Sequence, residues 1–144
     1  DLTKPEDAAR FVKETKVDLL APAVGNIHGI VMGIGSDGKM RSINPKLDIE
    51  RIAAIKKAVK VPLVLHGGSG IKDSDFLAAI DAGISIIHIN TEIRFAWKNA
   101  LEKSLSENKD EVAPYKILKP SFEAVKSVVK SRLQLFNKSR TFLG

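Results

Sequence analysis

The chain has 144 residues, of which 44% are hydrophobic and 28% charged, a balance typical of a folded globular protein rather than a disordered one. It contains no cysteine, which excludes disulfides and thiolate metal sites, so any metal would bind histidines and carboxylates. The formal net charge is +6, and most of the basic excess lies after residue 94, where ten Lys or Arg accompany five Asp or Glu.

That basic segment indicates solvated helix faces, because it contains few aromatic residues and neither a glycine-rich loop nor a basic cluster. We therefore expect no nucleic-acid partner. No apolar run reaches the roughly 18 residues of a membrane span, and no signal peptide is recognisable, so we also expect no membrane partner and a cytoplasmic location. The chain starts at Asp1, close to a predicted helix, which suggests a piece of a longer protein.

Hydrophobic periodicity predicts alternating helices and strands. The segments with apolar residues at helical spacing are residues 4–15, 47–59, 73–82, 91–105 and 120–136. The short continuous apolar runs, which predict buried strands, are residues 17–24, 61–65 and 84–89. Thr3 and Glu6 have the spacing of a capping box at the start of the first helix. Strands of this kind separated by helices predict an α/β fold with a parallel sheet.

Residues 26–45 lie between the first strand and the second helix, and several glycines in them predict a long loop. Loops of this length are commonly functional. We expect residues 30–44 to form a lid over a site and to be mobile without ligand.

All three histidines, His28, His66 and His88, fall at or just after the C-terminal end of a predicted strand. Ligands bind at this edge in parallel α/β folds. A single histidine at a strand end is more often a hydrogen-bonded structural residue. Position alone therefore leaves a shared site and a structural role equally open.

Two further patterns at this edge favour phosphate binding. The turn after His66 contains Gly67, Gly68 and Ser69, and glycines allow successive backbone N–H groups to approach an anion. Asn90 and Thr91 follow the next strand and begin a helix, whose positive end also suits phosphate. The alternatives are a tight strand-to-helix turn for the first pattern and a simple helix cap for the second.

Four segments in the same order resemble the class II, metal-dependent ketose-bisphosphate aldolases, a family that includes fructose-1,6- and tagatose-1,6-bisphosphate aldolases. The segments are Gly25–Gly29, Pro45–Asp48, Val61–Gly70 and Ile89–Arg94. The resemblance implies a TIM (β/α)8 barrel. Residues 1–144 would be the C-terminal portion of this single barrel domain, covering roughly its last three βα units and the C-terminal helices.

The resemblance also assigns residue roles. It implies that His28 and His66 are two of three Zn²⁺ ligands, and a monovalent cation is a further candidate cofactor. It implies that the dihydroxyacetone phosphate half of the substrate is held by Gly29, Gly67, Gly68, Ser69, His88, Asn90 and Thr91. The full-length enzyme would reversibly cleave fructose or tagatose 1,6-bisphosphate to dihydroxyacetone phosphate and glyceraldehyde 3-phosphate, with Zn²⁺ stabilising the enediolate.

A Schiff-base mechanism is disfavoured, because none of the three predicted strands carries a lysine.

The family usually has Asn at the position of His88, so this residue is either a donor to the substrate or a weak metal ligand. The family's third zinc histidine and its acid and base residues belong to earlier strands. We therefore predict no catalytic acid or base in this chain, which alone should be inactive, and a dimer or tetramer at full length.

Two other hypotheses stay open: a non-catalytic, phosphate-binding half-barrel with a regulatory role, and an inactive fragment whose His and Gly residues are only structural. The coding sequence upstream of Asp1 would separate the first from the enzyme. Lys116 and Lys119 are candidates for the second phosphate, although exposed lysines of this kind usually lie on solvated helix faces.

Overall fold

The computed structural model describes residues 2–27, 31–34, 40–43 and 45–137, which form an α/β arrangement. Within these ranges, the elements in chain order are α1 (Pro5–Thr15), β1 (Val31–Ile34), β2 (Met40–Ile43), α2 (Ile49–Ala58), β3 (Leu63–Leu65), α3 (Asp73–Asp81), β4 (Ile84–Ile87), α4 (Thr91–Glu107) and α5 (Pro114–Asn137). Among the helices described, none is long and apolar enough to cross a membrane.

Parallel strands connected by helices form the centre of the fold, as predicted. β3 and β4 pair in parallel, with Leu63 opposite Ile84, and the register shifts after Leu63. On the other side of β3, Leu20 makes an isolated parallel bridge with Leu63. The Val64 N–H donates to the Leu20 carbonyl at 2.8 Å. Three adjacent chain segments therefore run in one direction, which brings their C-terminal ends to one edge.

The predicted strand over residues 17–24 is reduced to this single bridge at Leu20. Pro22 has no N–H to donate to a ladder. The Val24 N–H, in turn, donates to the Asn26 side-chain oxygen at 2.9 Å. Neither Pro22 nor Val24 therefore contributes an N–H group to strand pairing. The predicted apolar run nevertheless lies beside β3, which it contacts through the bridge at Leu20.

The predicted loop over residues 26–45 contains an antiparallel hairpin. β1 and β2 pair with Val31 opposite Ile43 and Ile34 opposite Met40. Each strand is four residues long, too short for periodicity to distinguish it from a loop. The predicted lid thus contains regular structure, and its residues 30, 35–39 and 44 lie outside the described residues.

The predicted start of α5 and the predicted capping box of α1 were wrong. α5 begins at Pro114, six residues earlier than expected, and Pro120 lies inside it. Proline is well suited to a first helical position, which it occupies at residue 114. The capping box is also absent, because the residue that caps α1 is Lys4. The Thr3 hydroxyl instead accepts a hydrogen bond from the Ala23 N–H at 2.8 Å.

The core lies between the parallel strands and helices α2 and α3, with contributions from α1 and the end of α5. The residues with no exposed surface include Val24, Ile52, Ile55, Leu63, Leu65 and Phe76. Phe76 of α3 packs edge to face on Phe136 of α5, with ring centroids 5.1 Å apart. This packing fixes the strands, so the residues that follow them are held at a defined place.

Candidate functional site

A cavity of about 340 Å³ lies at the C-terminal ends of β3 and β4. Its walls come from two short segments that follow these strands, and the lining residues are His66, Gly67, Ser69, His88, Ile89, Asn90 and Thr91. Six of the nine residues predicted to bind metal or substrate are therefore brought together. Gly68 is not among the lining residues, and His28 and Gly29 are outside the described residues.

Glycine backbone conformations shape the wall that follows β3. Gly67 has a φ of 69°, in the left-handed region that favours glycine. Gly68 donates its N–H to the His88 carbonyl at 3.2 Å. A Cβ at Gly68 would lie 3.0 Å from that oxygen and 3.0 Å from the Ile89 side chain. Gly68 thus joins the two walls, with its N–H directed at His88.

Ser69 connects the same wall to the start of α4. The residue is buried, with 4% of its surface exposed. The hydroxyl oxygen accepts long hydrogen bonds, both of 3.4 Å, from the N–H groups of Asn90 and Glu92. A hydroxyl that accepts can also donate, so the Ser69 hydrogen remains a donor for a ligand in the cavity.

The two histidines of the cavity are neighbours. The His66 and His88 rings are arranged edge to face, with centroids 5.2 Å apart and planes inclined at 74°. Both residues are exposed. The backbone holds them in place, because the His88 N–H donates to the Leu65 carbonyl at 3.0 Å. Asn26, to which the sequence assigned no role of its own, donates its side-chain amide to the His66 carbonyl at 2.7 Å.

The donor chemistry of the cavity fits a zinc ligand but does not complete a zinc site. Neutral imidazoles are suitable Zn²⁺ ligands, and a catalytic zinc takes three protein ligands. Over the described ranges, no group of three or more His, Cys, Asp or Glu side chains could hold a metal ion. His66 could supply one ligand, and a zinc ion held there by three protein ligands would need at least one ligand from outside the residues described.

Neither lysine proposed for the second phosphate reaches this cavity. Lys116 is paired with Glu111, with its Nζ 2.7 Å from a carboxylate oxygen. That hydrogen bond, together with bonds from backbone N–H groups, lowers the pKa of Glu111. Lys119 is exposed on α5, and neither lysine is among the cavity-lining residues.

Sequence reasoning also missed an ion-pair network next to the cavity. Arg132 of α5 pairs with Glu92 in the first turn of α4 and with Asp73 at the start of α3. The local sequence around Arg132 carries no signal for this role, because Glu92 is 40 residues away and Asp73 is 59 residues away.

Known proteins resemble this chain along almost its whole length. The sequence model of the class-II fructose-bisphosphate aldolase family matches residues 1–141. A fructose-bisphosphate aldolase from Thermus caldophilus is 38% identical over 156 aligned positions, which cover 94% of this chain and 48% of that protein.

Solved structures show the same relationship. The YdjI aldolase from Escherichia coli K12 superposes with a TM-score of 0.74 at 36% identity, over 96% of this chain and 47% of that one. A fructose-bisphosphate aldolase from Campylobacter jejuni superposes with a TM-score of 0.70 over 94% of this chain and 45% of that one; at 21% identity this shows the fold alone. The chain spans about half the length of the relatives it matches.

Proposed function

The chain belongs to the class II fructose-bisphosphate aldolase family, and on that premise we propose that it is part of a metal-dependent aldolase. The full-length protein reversibly cleaves a ketose 1,6-bisphosphate to dihydroxyacetone phosphate and glyceraldehyde 3-phosphate. Residues 1–144 are the C-terminal portion of its barrel. The observation that carries the proposal is the convergence of His66 and five candidate substrate-binding residues on one cavity at the strand ends.

The walls of the cavity would bind the phosphate of the dihydroxyacetone half. Asn90 caps α4 without a side-chain hydrogen bond to that helix. Asn90 and Thr91 line the cavity together with Ser69. The Asn90 amide and the Thr91 and Ser69 hydroxyls would donate hydrogen bonds at the positive end of a 17-residue helix, an arrangement that favours an anion.

His66, with His28, would hold the Zn²⁺ ion, and a third ligand would come from outside the described residues. Zn²⁺ bound there would supply Lewis-acid stabilisation of the negative charge that develops on the substrate oxygens. His66 is suited to this place because its carbonyl, fixed by Asn26, holds its backbone at the end of β3. The same proposal includes a monovalent cation as a second bound ion.

The proton-transfer groups of the reaction would lie elsewhere in the full-length protein. None of the residues that line the described cavity is an aspartate or a glutamate. For this reason we propose that the 144-residue chain has no aldolase activity alone. The complete protein, as a dimer or tetramer, would supply the missing acid and base.

The test is cleavage of fructose and tagatose 1,6-bisphosphates by the full-length protein, followed through the release of glyceraldehyde 3-phosphate. We expect activity that disappears after chelation and returns with added Zn²⁺. His66→Ala should abolish it, whereas Lys103→Ala, at an exposed lysine of α4 outside the cavity, should leave it unchanged. Absence of cleavage of both sugars with the metal restored would overturn the proposal, and phosphate binding in that same preparation would favour a non-catalytic role.

A further inference from the structure

Arg132 of α5 joins the first turns of two other helices. Its Nε and Nη2 each donate to a carboxylate oxygen of Glu92 at 2.7 Å. Its Nη1 donates to Asp73 Oδ1 at 2.7 Å. The guanidinium carbon also lies 5.4 Å from the centroid of the Phe76 ring. A planar guanidinium with a two-pronged carboxylate partner, a second carboxylate and an aromatic face is fixed in one orientation.

The two helices joined by Arg132 follow the two walls of the cavity. Asp73 begins α3, three residues after Gly70 of the glycine-rich turn, and Glu92 is the second residue of α4, next to Thr91. The Glu92 N–H also donates to Ser69 on the opposite wall. Arg132 therefore acts on the spacing between the walls, although it does not line the cavity itself.

The negative charge of Glu92, beside the cavity, must be neutralised if an anion is to bind there. Glu92 is adjacent to Thr91 in the cavity wall, and a carboxylate there would repel a phosphate. The side chains of Arg132 and Glu92 are only 21% and 20% exposed, so water screens the pair less than it screens an exposed one. The hydrogen bond to Glu92, followed by smaller contributions from Asp73, raises the pKa of Arg132. The guanidinium thus stays charged.

We propose that Arg132 is a positioning residue for the phosphate site, and this inference rests on the function proposed above. It holds the turn after β3 and the start of α4 at the spacing that accepts a phosphate group. At the same time it cancels the charge of Glu92 that would repel the phosphate.

The experiment measures the Kd of inorganic phosphate for the full-length protein by ³¹P NMR titration. Arg132→Met keeps an unbranched apolar stem but removes the charge, and we expect phosphate to bind roughly tenfold more weakly. Arg51→Met is the matched control. Arg51 pairs with Asp48 at the start of α2 at 2.9 Å, and its side chain is 30% exposed, but it does not line the cavity.

A second variant separates positioning from general stability. Adding Glu92→Gln to Arg132→Met removes the uncompensated carboxylate, so most of the phosphate affinity should return. Arg132→Lys keeps the charge without the two-pronged geometry and should lose only part of the affinity. A merely structural role predicts that the double variant is no better than Arg132→Met, even where its melting temperature is unchanged.

The inference is wrong if folded Arg132→Met binds phosphate as the wild type does, or if Arg51→Met weakens phosphate binding equally. If Arg132→Met does not fold, the phosphate Kd of Arg132→Lys and of the double variant is measured instead. A phosphate Kd of Arg132→Lys equal to that of the wild type would then contradict the inference. A wild-type protein that binds phosphate but cleaves no ketose bisphosphate would contradict the proposed function while leaving the role of Arg132 intact. A wild type that binds no phosphate would overturn the role of Arg132, whereas the proposed function is decided separately by the cleavage assay.

Discussion

The rings of His66 and His88 meet edge to face at the ends of two adjacent parallel strands, with centroids 5.2 Å apart. A shared position at one cavity does not require a shared role. His66 follows β3, and its carbonyl is fixed by Asn26, whereas His88 follows β4, and its N–H donates to the Leu65 carbonyl. We propose that His66 binds the metal and that His88 contacts the substrate. Substitutions at the two histidines should therefore give different results.

Replacement of His66 by alanine should remove one of the proposed zinc ligands. Loss of a hydrogen-bond partner of a ligand already costs about 10- to 100-fold in metal affinity, so loss of the ligand itself should cost more than about 100-fold. The exposed side chain contributes little to the core, so the melting temperature of the metal-free protein should change little. Calorimetric titration with Zn²⁺ measures the first effect. Unchanged zinc affinity would contradict the assignment.

His88→Ala, which removes the imidazole and its N–H donor, should leave zinc affinity close to that of the wild type and raise the KM for the ketose bisphosphate several-fold. The reason is that His88 lines the cavity proposed to bind phosphate, where an imidazole N–H can donate to the substrate. Zinc titration and steady-state kinetics on the same preparation measure both quantities. A loss of zinc affinity as large as that of His66→Ala would instead identify His88 as a ligand.

Ser69→Ala tests the buried hydroxyl between the walls. Because the hydrogen bonds that it accepts are both 3.4 Å long, we expect a stability loss of only about 1 kcal/mol, together with weaker phosphate binding. Ser121→Ala is a matched control, since its buried hydroxyl donates to the Trp97 carbonyl at 3.2 Å, remote from the cavity. Denaturant unfolding and phosphate titration should show similar stability losses but weaker phosphate binding only for Ser69→Ala.

Gly25→Ala and Gly70→Ala separate a steric clash from backbone strain. Both glycines have positive φ, 97° and 89°, so alanine should cost roughly 1 kcal/mol at either position. At Gly25 the added Cβ would also overlap the Lys46 carbonyl oxygen, whereas at Gly70 the nearest atom is 3.9 Å away, on Pro45. Gly25→Ala should therefore be destabilising by about 2 kcal/mol more in denaturant unfolding. Equal losses would contradict this.

The sequence predicted the cavity well because its residues directly follow apolar strands. Once Val61–Leu65 and Ile84–Ile89 are identified as parallel strands, His66 and Asn90 must lie at the same edge. The family resemblance, which was inferred from four sequence segments, was confirmed over nearly the whole chain. The roles of the individual residues remain predictions, including those of His28 and Gly29 outside the described residues.

Other features depend on contacts that local sequence does not encode. The pairing of Arg132 with Glu92 arises from the packing of α5 against α3 and α4, which joins positions 40 residues apart. Thr3 has the spacing of a helix-capping residue, but its hydroxyl instead accepts a hydrogen bond from the Ala23 N–H. Local patterns predict which groups are available, and tertiary packing decides which partner each group finds.

Asp48 should make stability depend on pH. Its carboxylate accepts hydrogen bonds of 2.9 Å from the Arg51 N–H and from Arg51 Nε, which lower the pKa of Asp48. A lowered pKa stabilises the folded state above the unfolded value of about 3.9, and this contribution is lost as pH falls through the folded value. Asp48→Asn keeps a cap oxygen without the charge. Its melting temperature should lie below that of the wild type at neutral pH, and the gap should close in acid. A gap that stays constant from neutral pH to about pH 2 would contradict the lowered pKa.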